Sequence, residues 1–223
     1  MHLTPWSLVP KAAAIAAAVA LMSSGAAAQV VAIGSGAFSG SPPPITFTGV
    51  ATGTEVNGLS VSGFQFFYSL GSGNVIIGSG PGNTNNVNDP SIVSNFGSNT
   101  GVLTILLPSL SNRFGFGFAV NSFTGLAFGT SVTVLNGATS LGNLLYAAPL
   151  DPVFAGGFAG IQSVSAFDRV QVSFNSAQAP AFSLDNIRYT STVPEPSSLL
   201  LTACGIGALW FSYRRRNAKG LQR

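Results

Sequence analysis

Histidine and cysteine are almost missing from this 223-residue sequence: the single His is His2 and the single Cys is Cys204. Residues 29–193 therefore hold neither imidazole nor thiol. That excludes Ser-His-Asp and Cys-His catalysis there, together with His- or Cys-ligated zinc. No intramolecular disulfide can form with one cysteine, and Cys204 itself, inside an apolar run, reads as a small apolar side chain. Both tryptophans, Trp6 and Trp210, fall in the terminal segments as well, which removes the commonest sugar-stacking ring from the body. Tyr68, Tyr146, Tyr189 and the phenylalanines remain for that purpose.

Charge is also scarce, at 7% of residues. The formal net charge of +3 belongs to the ends, because Lys11, Arg214, Arg215, Arg216, Lys219 and Arg223 all lie there. Between residues 29 and 193 there is no lysine, and Arg113, Arg169 and Arg188 face Glu55, Asp89, Asp151, Asp168 and Asp185, a net charge of −2. A phosphate-binding surface needs clustered cations, so nucleic acid is not a partner. Disorder is excluded in turn, since 46% of the residues are hydrophobic.

Residues 1–28 run from a cation, Lys11, through an Ala-rich apolar stretch to small residues ending Ala26-Ala27-Ala28 before Gln29. That order is the order of a secretory signal peptide, and it places signal peptidase cleavage between Ala28 and Gln29. At the other end, Val193-Pro194-Glu195-Pro196 precedes an apolar run that closes on Arg214-Arg215-Arg216. The prolines block helix on the outer side, and three guanidiniums resist translocation on the inner side. A helix over 198–213 would reach about 24 Å, short of the roughly 30 Å hydrocarbon core, which suits a transient membrane anchor followed by a basic cytoplasmic tail over 217–223.

Residues 193–216 resemble the PEP-CTERM sorting signal: a Val-Pro-Glu-Pro motif, a helix containing Gly205 and Gly207, and an arginine cluster follow in that order. The resemblance implies a Gram-negative bacterium and recognition of the tail by an exosortase. It implies further that the helix is removed and that an inner-membrane-anchored precursor is released to the cell surface or an exopolysaccharide matrix.

Between these addresses, residues 29–192 carry little helical periodicity and recurrent period-two alternation. Phe114, Phe116, Phe118 and Val120 alternate with Gly115, Gly117 and Ala119, so one face is core and the other is nearly bare. Either another layer or a ligand approaches that bare face, and packing is the preferred reading. Further strands fit 59–68, 102–107, 132–135, 142–146, 170–174 and 182–189, separated by Gly, Asn, Pro and Ser runs. The expected fold is one all-β, jelly-roll-like sandwich.

Within the last strand, Phe182 and Leu184 share one parity and Ile187 and Tyr189 the other, which predicts a β-bulge at Asp185-Asn186. The stretch 182–187 resembles the closing strand of PEP-CTERM ectodomains and of carbohydrate-binding-like sandwiches. Asp185 is expected to accept hydrogen bonds from nearby backbone N–H groups. The Asn-rich stretch 78–90 reads as a solvated loop; its oxygens suit a hard cation, but without an EF-hand spacing no metal or cofactor is assigned.

Glycoside hydrolysis needs two carboxyl groups about 5–10 Å apart, and each of the five acids instead sits in a context that reads as structural. The chain is therefore expected to be a non-catalytic surface or matrix protein of structural or adhesive function. Binding of exopolysaccharide is the second reading and hydrolysis the third.

Overall fold

The computed structural model describes residues 30–82 and 84–191. The signal-peptide assignment (1–28, with its Ala28/Gln29 junction), the sorting motif Val193–Pro196, the 198–213 helix, Arg214–Arg216 and the basic tail lie outside the described residues.

Ten strands form among the described residues: β1 Val30–Ala32, β2 Ser60–Val61, β3 Phe64–Tyr68, β4 Val75–Gly78, β5 Ser91–Ser94, β6 Leu103–Val120, β7 Leu126–Asn136, β8 Thr139–Ala148, β9 Ala155–Phe174 and β10 Phe182–Ser191. One short 3-10 turn, Ser35–Phe38, accompanies them. No helix among these residues is long and apolar enough to cross a membrane.

The expected all-β sandwich is present, and its construction rests on β6 and β9. These antiparallel strands pair twice. Leu103–Leu106 lie opposite Arg169–Val172, and Arg113–Val120 lie opposite Ala155–Gln162, with register shifts on either side of Ser111. The first half of the pair carries β3 on one side and β7, then β8, on the other. The second half carries β1 beside β9, and β10, β5 and β4 beside β6. Two layers thus share their central strands, and the bulges around Pro108–Asn112 turn each strand from one layer into the other.

The core lies between the layers. Phe64, Phe66, Phe114, Phe116, Phe118, Phe167 and Phe182 are all fully buried there. Phe116 sits between Phe114 and Phe118 at ring-centroid distances of 5.9 and 6.3 Å, in tilted and edge-on geometry. Tyr68 enters the same core and spends its hydroxyl on the backbone, donating to the Ser98 carbonyl at 2.5 Å and accepting from the Gly101 N–H at 3.0 Å. Burial pushes its pKa up.

The bare face of β6 is covered by protein. A methyl on Gly117 would stand 2.6 Å from the carbonyl carbon of Asn86, and one on Gly115 would stand 2.5 Å from the Phe158 ring. The loop between β4 and β5 is what approaches Gly117. The expectation of a solvated turn is corrected here: Pro81, Gly82, Thr84 and Val87 are buried, and the segment packs on the outer face of the second layer. The carboxylate of Asp151 ties it down by accepting from the side-chain amides of Asn85 and Asn86.

The bulge in β10 also forms. Asn186 has a φ of 53°, and Leu184 and Ile187, three residues apart, both reach the core. The side-chain amide of Asn186 then donates to the Asn86 carbonyl at 2.9 Å, joining the last strand to the packed loop.

Candidate functional site

The body acids do not converge on a catalytic pair. Glu55 accepts from the Gly73 N–H at 2.9 Å, Asp168 accepts from the Gly137 N–H at 3.0 Å, and Asp151 holds the loop amides already described. Each of these three stabilises a turn or a loop. Asp89 and Asp185 lie together beneath the 79–90 loop.

The tyrosines do not form a stacking platform. Tyr68 is in the core, Tyr146 donates its hydroxyl to the Gly160 carbonyl at 2.6 Å, and Tyr189 packs edge-on against Phe64 at 5.0 Å. Burial also pushes the Tyr146 pKa up.

Phenylalanines from the connecting segments take the surface instead. Phe96 follows β5 and is 73% exposed; Phe123 lies between β6 and β7 and is 67% exposed. Phe123 packs on Phe154, which precedes β9, with centroids 5.2 Å apart. Exposing rings of this size forfeits the gain of burial, so they mark a surface that meets something.

Phe96 and Phe154 flank a cleft of about 570 Å³ at this end of the sandwich, within the range of small-molecule sites. Its polar side chains are Thr52, Ser79, Ser94, Asn95 and Asn121, and the buried Val93 and Ala181 also line it. The Ser94 hydroxyl is occupied by the Phe182 N–H at 3.0 Å, and one Asn95 amide hydrogen is occupied by the Gly73 carbonyl at 2.6 Å. Asn121 is fixed through its backbone, which donates to the Ala181 carbonyl at 2.8 Å. Its side-chain amide carries both donors and an acceptor. No ionisable side chain lines the cleft. Such a surface can bind a neutral molecule having both hydroxyl groups and apolar faces. Proton transfer has no agent there.

Alternation analysis passes over Phe96, Phe123 and Phe154 because each lies between strands. The available signal is local. Asn95-Phe96-Gly97 and Ser122-Phe123-Thr124 each place a ring inside a turn-forming context, where it cannot reach a strand's core face.

No family model matches this chain, and no curated protein does. Solved structures do. A variant of the family 29 carbohydrate-binding module CBM29-2 aligns at TM-score 0.36 and 9% identity, covering 66% of this chain and 97% of that one. The low-affinity xylan-binding module CBM86 from Roseburia intestinalis aligns at 0.33 and 14%, over 57% and 94%. The catalytic domain of a GH87 alpha-1,3-glucanase aligns at 0.31 and 13%, over 47% of this chain and 22% of that one.

Proposed function

We propose that this chain is an exported, non-catalytic protein of the cell surface or extracellular matrix whose β-sandwich binds a neutral polysaccharide. The observation that carries the binding is the uncharged cleft between Phe96 and Phe154, with the amide of Asn121 on its wall. Sugar rings present C–H faces that stack on aromatic rings and hydroxyls that pair with amides, and this cleft offers both. The same cleft favours carbohydrate over a purely structural part in the matrix. Its lack of a carboxylate supports binding without hydrolysis.

Affinity electrophoresis of the full-length protein in gels containing neutral polysaccharides such as xylan or β-glucan tests this reading. At least one should retard it. Phe96→Ala and Asn121→Ala should each weaken that binding by about tenfold, equivalent to about 1.4 kcal/mol, with the fold unchanged. Equal retardation of wild type and both variants removes the cleft from the function. The alternative occupant, a second copy seated on Phe123 and Val153, would instead show as self-association lost in Phe123→Ser.

Export and sorting are the other half of the proposal, supported by the Ala26-Ala27-Ala28 ending and by Val193-Pro194-Glu195-Pro196 before Arg214-Arg215-Arg216. In a host with its own exosortase, intact mass should show a chain that begins at Gln29 and has lost its apolar tail. Glu195→Gln keeps both prolines and the arginines, so the tail should insert but stay attached. Retention of the tail by wild type would make this a plain tail-anchored protein.

A further inference from the structure

Two oxygens under the 79–90 loop are buried without a hydrogen-bond partner: Ser183 Oγ and Asp185 Oδ1, on residues 0% and 1% exposed. They sit two apart on β10 before its bulge, hence on one face, the face turned away from Leu184 and the core. The β10–β5 register sets Ser183 opposite Val93 and Leu184 opposite Ile92, which brings Asp185 level with Ser91. The Ser91 hydroxyl donates to Asp89 Oδ1 at 3.3 Å.

The loop backbone closes over these groups. Methyls on Gly80 and Gly82 would stand 2.6 Å from Ser183 Oγ and 2.5 Å from Asp89 Oδ1, so only glycine lets the chain pass this close. The Asp185 carboxylate is approached by the backbone N–H groups of Asn88, at 3.4 Å from Oδ2, of Asn186 and of Phe47, which leaves Oδ1 without a bond of ordinary geometry.

Asp185 is 1% exposed, so its carboxylate is held away from bulk water.

We propose that Asp185, Ser183 and Asp89 hold a hard divalent cation of the calcium class beneath the 79–90 loop. Only two carboxylates take part, so the remaining ligands of such an ion are neutral oxygens of the loop backbone and its asparagines, the donor set calcium accepts. The ion gives the two unpartnered oxygens a partner and sets a positive charge beside the buried Asp185. It also fixes the loop whose first residues, Ser79 and Gly80, form one wall of the aromatic cleft.

Thermal unfolding of the full-length protein in chelator, in calcium chloride and in magnesium chloride tests the site. Calcium at about a hundredfold over its Kd should raise Tm by about 5–10 °C, and magnesium by less. Asp185→Asn should abolish the calcium shift. In chelator it should melt no lower than wild type, because it replaces a buried charge by an amide of the same shape. Should that variant fail to fold, Asp89→Asn and Ser183→Ala read the same shift. A wild-type Tm indifferent to calcium overturns the proposal, as does a shift that survives in all three variants.

Discussion

Replacing Gly117 by Ala should cost about 3 kcal/mol, the upper end of what overpacking ordinarily costs, although it adds only one methyl. The methyl would enter the space of the Asn86 carbonyl, standing 2.6 Å from its carbon and nearer still to its oxygen. That neighbour is backbone and cannot rotate away. It is also committed elsewhere, since the Asn86 carbonyl accepts from Asn186 and the Asn86 amide donates to Asp151 at 2.7 Å. The loop must therefore lift as a unit, breaking its ties to β10 and to Asp151 together. Urea melts should show the loss as a lower midpoint at unchanged slope. A cost below about 1 kcal/mol would mean that the loop is not seated on β6 as described. Gly115→Ala is the comparison. Its nearest obstacle is the edge of the Phe158 ring, a side chain that can swing, so the effect there should be smaller.

Phe116→Ala should cost about 3–5 kcal/mol, as the truncation of a fully buried aromatic does. Two terms add. The ring's apolar surface loses its transfer from water, and the void it leaves is bounded by Phe114 and Phe118, whose own positions are set by the β6–β9 ladder. With the backbone held on both sides, the cavity cannot collapse, which places the cost toward the upper part of that range. Phe116→Leu keeps much of the volume and should cost about 1–2 kcal/mol. The contrast between the two variants, read in the same denaturant series, separates cavity from chemistry.

Period-two alternation locates the core face of 114–120 without ambiguity, because four large side chains and three small ones leave one reading. A strand over 102–107 is legible as well; what is hidden is that it and 114–120 are one strand. Pro108 and the polar residues Ser109, Ser111 and Asn112 look like a loop, whereas they are the bulged corner through which β6 passes between layers. A proline is tolerated there because the ladder is already interrupted. The first half of β9 is hidden for another reason. Ala155-Gly156-Gly157-Phe158-Ala159-Gly160 carries no β-branched residue, and it is a strand because it pairs with the glycines of β6, where small residues on both strands admit the covering loop and Phe158. Strands β4 and β5 are short and buried on nearly every position, so no alternation marks them.

The functional residues were legible to different depths. Histidine, cysteine and charge content narrow the chemistry of the body from composition alone, and the bulge at Asn186 follows from a change of parity. The meeting of Asp89 with Asp185 joins positions more than half the domain apart in sequence and needs the β5–β10 pairing to appear. The exposed phenylalanines required knowledge of which turns share one end of the sandwich.

The sharing of β6 and β9 between layers has a consequence for the order of events in the chain's life. Leu103 meets Tyr68 on one side early, but its β9 partner comes only when Val172 arrives, and the central place between β5 and β6 stays empty until β10, the last strand, is delivered. Neither layer can close early, so no stable half-molecule can form while the polypeptide is still emerging. A contact map this non-local folds slowly, on the millisecond-to-second scale of β-sandwiches. Under the proposed export, slowness of this kind keeps the chain threadable, and the final strand is the latch that commits the whole domain at once.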